Sequence, residues 1–200
     1  PEVQASTILR PGEGDAGVVA PVPNSRRAVA MTADGNPLLG LADPWTAGAS
    51  AVLEACRNVA CVGGRPAAVT DCLNFGNPEV PESFWEFTEA VRGIGDACRG
   101  VGCYAREDRP LPVISGNVSF YNQSATGRSV APSPIVGCVG IVDDYTRARS
   151  QRLKLGRQPR VAVVPLPGVN CEGESARVLA ASGAASENFR GTRPPPELAA

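Results

Sequence analysis

The chain has 200 residues, of which 43% are hydrophobic and 20% charged, with 19 basic and 20 acidic side chains for a net charge of −1. A core can form, no basic excess marks a sequence-independent nucleic-acid binder, and no apolar run approaches the ~20 residues of a membrane-spanning helix. With no histidine at all, a Ser-His-Asp triad, a Cys-His pair and a histidine metal site are excluded, so any proton transfer falls to a carboxylate, a cysteine or the lone Lys154.

Residues 1–13 read as an irregular segment that opens Pro1-Glu2-Val3 without Met and without a secretory leader, as in a processed or incomplete cytoplasmic chain. A short strand is expected around Ala16–Ala20, and Arg27–Asp34 alternates as a strand that Gly35-Asn36-Pro37 stops with turn chemistry. Asp43-Pro44 starts a helix, with Val52, Ala55, Cys56, Val59 and Ala60 at helical spacing and Gly63-Gly64 at its end. Ala67–Thr70 reads as a short strand leading into Asp71, then a polar turn through Asn74-Phe75-Gly76-Asn77-Pro78. After Pro81 comes the clearest helix: Phe84, Phe87, Val91, Ile94, Cys98 and Val101 fall on one face.

Residues 103–110 read as a charged connection, and Pro112–Ser115 as a strand broken by Gly116-Asn117. The nearly continuous apolar run Ile135–Val142 reads as a strand buried on both faces. Arg147–Arg160 holds five arginines, one lysine and no acid; it suits a solvated linker or an anion-binding patch. Val161–Val164 and Glu174–Ser182 then form one strand and one helix with nothing following to pair with, and the Pro-rich tail 188–200 reads as disordered. The β-α-β-α-β-β order defines an α/β or α+β domain with helices packed on its sheet. The seven cysteines include no CxxC pair and sit in apolar contexts, as expected of reduced, buried thiols.

Two segments suit ligand chemistry: Val69–Pro78 and Val113–Asn122, each running from an apolar strand into carboxylate or amide groups beside Gly. Strand ends of such sheets are common ligand sites. Asp and Asn oxygens suit Mg²⁺ carried on phosphates, and Gly lets a backbone N–H approach an anion. The same residues also suit ordinary Asn/Gly turns. Walker A and GxGxxG loops are absent, which argues against a P-loop or Rossmann site.

The run DPWTAGASAVLEACRNVACVGGRPAAVTDCLNFGNPEVPESFWEFTEAVRGIGDAC, with VISGNVSFYN and SPIVGCVGIVDD after it, closely resembles the formylglycinamidine ribonucleotide synthetase family across about residues 14–145. The resemblance implies a mixed-sheet domain of the aminoimidazole-ribonucleotide-synthetase (PurM) N-terminal type over 14–146. It also implies an ATP-dependent carbon–nitrogen ligase of purine biosynthesis that aminates formylglycinamide ribonucleotide with ammonia from glutamine. The family carries two copies of this domain. The match is to the second copy, which completes the ATP and substrate site of the first; the first copy carries the catalytic His, and its domain is an expected partner. The resemblance makes Asp71 an ATP contact, Gly116 a backbone contact to ATP, Asn117 a Mg²⁺ ligand and Ser119 a substrate contact. It places Asp34, Asn36 and Asp43 in an auxiliary nucleotide pocket. Arg57-Asn58 stands where the first copy has Arg-Asp, so this copy's own site reads as degenerate.

Two departures accompany the match. Residues 103–110 read as an insertion. After a basic linker over 147–160, Pro159–Ala184 resembles the opening strand and helix of the family's glutaminase partner, giving a truncated β-α unit over 161–187 in which Cys171 is structural. The implied product is a fragment that supplies half of a Mg-ATP site and is inactive alone. The alternatives are a non-catalytic nucleotide-binding module docking onto a separate synthetase subunit, or a small-molecule kinase of the same fold.

Overall fold

A computed structural model describes residues 5–10, 12–152, 160–163 and 185–188. The chain divides into two compact units, Pro1–Arg152 and Leu153–Ala200.

The first unit is built on a six-stranded sheet in the order β1-β2-β3-β8-β4-β7. Its strands are β1 (Thr7–Leu9), β2 (Gly17–Val19), β3 (Ala28–Asp34), β4 (Arg65–Asn74), β7 (Val113–Ser119) and β8 (Ser133–Val142). Every pairing is antiparallel except β4–β7. The parallel pair needs a crossover, and helix α3 (Pro81–Gly100) lies within it. Helix α2 (Pro44–Cys61) packs against α3. A Cβ at Gly48 would collide with the Ala90 carbonyl oxygen, and one at Gly93 would collide with that of Trp45. Both helix axes therefore approach backbone to backbone.

The helices cover one face of the sheet. Along β8, Pro134, Val136, Cys138, Gly140 and Val142 are buried, while the odd-numbered residues are partly or fully exposed. The expectation of burial on both faces is thus corrected: Ile135, Val139 and Ile141 are apolar, but they lie on the uncovered face, which hides the alternation from a sequence reading. A Cβ at Gly140 would collide with Val59 Cγ1 and sit 2.9 Å from the Arg65 carbonyl, so α2 rests directly on the sheet there.

The structure changes other boundaries. Helix α1 (Pro37–Ala42) follows Asn36 where only a turn was expected. Asn36 accepts from the Leu38 and Leu39 N–H groups and Pro37 takes the first helical position, so the turn chemistry is a helix start. Strand β4 runs through Asp71 to Asn74 rather than ending at Thr70, and β7 runs through Gly116-Asn117 rather than breaking there. Pairing to β8 and β7 on either side keeps β4 extended; that tertiary constraint overrides local propensity. The charged connection is a hairpin of β5 (Gly102–Cys103) and β6 (Arg106–Pro110), with Ala105 at φ 59° in its turn. The start of the basic segment is a short 3-10 turn at Tyr145–Arg147.

In the second unit, β9 (Arg160–Val163) pairs in parallel with β10 (Ala185–Asn188). The expectation that its strand has nothing to pair with is corrected. The expected helix Glu174–Ser182, Cys171 and the tail beyond Asn188 lie outside the described residues.

Six cysteines among the described residues are free, with Cys56, Cys98 and Cys138 buried and Cys61 exposed. Burial pushes the Cys98 thiol up to about 11, so it packs as a neutral, inert group.

Candidate functional site

Asp71 and Gly116 face each other in register on β4 and β7. A Cβ at position 116 would collide with Asp71 Oδ1 and lie 2.7 Å from Asp71 Cγ. The carboxylate therefore lies over the Gly116 Cα, and only glycine leaves it room. Asp71 shares its face with Val69 and Leu73, both buried; this is the helix-covered side. Desolvation there raises the Asp71 pKa above the usual carboxylate value.

Asn117 pairs with Cys72, and Ser119 with Asn74. Side chains alternate along a strand, so Asn117 and Ser119 project from the face opposite to Asp71 and Gly116. The four expected site residues thus share two neighbouring strands but not one surface. A single ion does not bridge Asp71 and Asn117.

Aromatic packing holds the loops that follow these strands. Phe87 of α3 meets Phe75 edge-on at 5.5 Å and Phe120 at 5.0 Å. The ladder continues past both strands, with Phe75 N donating to Ser119 O at 3.0 Å and Tyr121 N to Gly76 O at 2.9 Å. Asn122 Nδ2 also donates to Ser119 O, at 2.7 Å. The Thr70 hydroxyl donates to Ser115 O at 3.0 Å, tying β4 to β7 beside Asp71.

Asp34 lies on the same sheet row, two strands away, since Val136 pairs with both Asp34 and Asp71. It accepts from Asn58 Nδ2 at 3.0 Å and from Thr32 Oγ1 at 2.8 Å. The Thr32–Asp34–Asn58 chain was missed by sequence reasoning. Its only sequence signal is the i, i+2 spacing that puts Thr32 and Asp34 on one strand face. Asn36 and Asp43, grouped with Asp34 by resemblance, cap α1 and α2: Asp43 accepts from Thr46 N at 3.2 Å. Hydrogen bonds from the Thr46 side chain and backbone hold Asp43 below the usual carboxylate value.

Among the described residues no three His, Cys, Asp or Glu side chains cluster as a metal site, and no helix is long and apolar enough to cross a membrane.

A mixed sheet with two helices on one face and one parallel strand pair is the architecture of an AIR-synthase-like domain. Residues 13–142 match the family model for the AIR synthase related protein N-terminal domain, and the chain belongs to that family. The phosphoribosylformylglycinamidine synthase subunit PurL of Methanothrix thermoacetophila is 52% identical over 153 residues, covering 76% of this chain and 20% of that protein. The Synechococcus sp. PurL subunit is 44% identical over 158 residues, covering 72% of this chain and 20% of its own. The Thermotoga maritima PurL structure complexed with ATP superposes with a TM-score of 0.60 at 28% identity, covering 72% of this chain and 22% of that one. The same protein has been solved with FGAR. The chain spans about a fifth of the length of these relatives.

Proposed function

We propose that this chain is the second nucleotide-binding half of a formylglycinamidine ribonucleotide synthetase, an ATP-dependent ligase of purine biosynthesis that takes ammonia from glutamine. The observation that carries the reading is the Asp71 carboxylate laid over Gly116 on the parallel strand pair. T. maritima PurL has been solved with ATP, AMPPCP and ADP, and the structure of T. maritima PurLQS is also known.

The donor set fits a magnesium ion that arrives on phosphate. The Asn117 carboxamide as the one protein ligand leaves most positions to phosphate and water oxygens, as Mg²⁺ prefers. Mg²⁺ would neutralise charge on the transferring phosphate. Asn117 would hold it, Asp71 and the Gly116 main chain would position ATP, and Ser119 would contact formylglycinamide ribonucleotide. These groups act by orientation and electrostatics; with no histidine in the chain, the catalytic His comes from the first-half domain. The uncovered sheet face supports such a partner: Met31 and Ile135 are exposed on the same face from which Asn117 projects. Asp34, Asn36 and Asp43 belong to the auxiliary nucleotide pocket, where Asn58 in place of Asp lets it hydrogen-bond with Asp34. Residues 147–160 link this domain to a glutaminase-like opening over 161–187, and the glutaminase supplying ammonia is a further partner.

Calorimetric titration with Mg-ATP tests the reading. The purified chain binds, and Asp71→Ala weakens binding at least about tenfold, the loss of one charge-assisted contact. Equal binding by the variant would refute the site. The chain alone turns over no formylglycinamide ribonucleotide; measurable product would refute the half-site.

A further inference from the structure

The opposite end of the sheet gathers arginines around Asp143 and Asp144. Arg65 opens β4 six residues before Asp71, about 20 Å away along an extended strand. A cleft of about 370 Å³ lies there, lined by Arg65, Arg147, Arg149, Asp143 and Asp144 beside Gly63. An adjoining cleft of about 360 Å³ shares Arg65 and reaches Tyr104.

The carboxylates of this end are already engaged. Asp143 accepts from Tyr104 Oη at 2.5 Å and from Arg65 Nη2 at 3.1 Å, and pairs with Arg27 at 3.9 Å. Those partners hold it below the usual carboxylate value, the Tyr104 hydrogen bond first. Asp144 accepts from Thr146 and pairs with Arg26 at 3.6 Å. Arg65 is engaged as well, with its guanidinium 4.7 Å over the Tyr104 ring and its Nη1 3.6 Å from Glu107.

Arg147 and Arg149 differ. Both are exposed, and among the described residues neither has an acidic partner within 4.0 Å. Their backbones are nonetheless fixed. Arg149 N donates to Val62 O at 3.1 Å, Arg147 N to Asp144 O at 3.0 Å, and Gln151 N to Glu13 O at 2.9 Å. The segment that reads as a basic linker thus lays its first two arginines, anchored, on the mouth of a small-molecule-sized cleft. Guanidinium forks match phosphate oxygens in pairs.

We infer that Arg147 and Arg149, with Arg65 behind them, form a second anion site that takes a phosphate-bearing small molecule, separate from the Asp71 site. The competing explanation is structural: cations beside the C-terminal end of α2 also complement its dipole.

Inorganic pyrophosphate is the probe, titrated calorimetrically into the full chain. Binding is expected to survive Asp71→Ala and to weaken at least tenfold in Arg147→Ala/Arg149→Ala. Arg147→Lys/Arg149→Lys, which keeps charge but loses the fork, falls between. Citrate at equal concentration separates phosphate recognition from general oxyanion attraction and should bind more weakly. Pyrophosphate should also shield Arg147 and Arg149 of the unaltered chain from phenylglyoxal, read by mass spectrometry, a measurement that needs no variant to fold. Absence of binding, no shielding, or unchanged affinity in the double alanine variant overturns the site. So does a lowered Tm with unchanged affinity, or binding abolished at physiological salt, which marks an adventitious ion only.

Discussion

Gly116→Ala separates the geometry of the site from the stability of the fold. The new methyl would collide with Asp71 Oδ1 and stand 2.7 Å from its Cγ, with no backbone atom among its three nearest neighbours. Relief comes by rotating Asp71 away from β7. An off-rotamer side chain costs about 0.5–1.5 kcal/mol, and replacing Gly by Ala returns about 0.4–1 kcal/mol through the unfolded chain. The net change is about 1 kcal/mol or less, or about 2–4 °C in Tm for a domain of this size. The displaced carboxylate loses its place beside the nucleotide, which removes a charged hydrogen bond of about 1.5–3 kcal/mol and weakens ATP roughly 10- to 100-fold. Gly93→Ala is the control, because its Cβ would meet the Trp45 carbonyl oxygen and lie 2.9 Å from the Trp45 carbonyl carbon. Two backbones cannot rotate apart, so overpacking there costs about 1–3 kcal/mol. Thermal unfolding and Mg-ATP calorimetry on both variants decide the matter. If Gly116→Ala binds Mg-ATP like the parent chain, or unfolds as early as Gly93→Ala, the contact with Asp71 is not what reserves position 116 for glycine.

Three further outcomes are expected. Asn58→Asp puts a second carboxylate about where Asn58 Nδ2 now donates to Asp34 at 3.0 Å; it should destabilise the fold by about 1–3 kcal/mol at neutral pH, with recovery in acid, and a pH-independent denaturation midpoint would contradict the pairing. Asp43→Ala removes the α2 cap and should cost about 1 kcal/mol; hydrogen exchange should rise first at Trp45–Ala47, and unchanged exchange there would show that the cap is not formed in solution. The raised pKa of Asp71 comes from desolvation of its charged form, so its stabilising share is complete below the unfolded value near 3.8 and is lost as pH rises through the folded value. Asp71→Asn should therefore raise Tm at neutral pH and lose that advantage below about pH 4; equal melting of both chains at pH 7 would refute the desolvation.

Periodicity in the sequence determines many of this protein's elements. The apolar face of α2 repeats at helical spacing, and β3 and β8 stand out because their pairing residues are almost all apolar or small. On α3 the helix was legible but its face was not: Phe84 and Val91 are exposed, while Ala90, Gly93, Ile94, Ala97 and Cys98 are buried, and the small residues among them let α2 approach. The motif residues around Asp71 and Gly116 were legible as a candidate site for the same local reason, a carboxylate and a glycine at strand positions. Strand ends were not legible, because Asn74, Gly116 and Asn117 have the propensities of turn residues and stay extended only through their neighbours on β4 and β7. Helix α1 escaped because Asn36-Pro37 signals a turn and a helix start equally well. Which face each group occupies was decided by register alone. Parallel pairing sets Asp71 against Gly116 under the helices and sends Asn117 and Ser119 to the open side, and the packing of α2 on the sheet brings Asn58 to Asp34 across 24 residues of chain. Local composition selects which segments fold into elements, because their entropy and burial are settled within a few residues. The site itself depends on hydrogen-bond registers between segments far apart in sequence, and a register exists only once the sheet has closed.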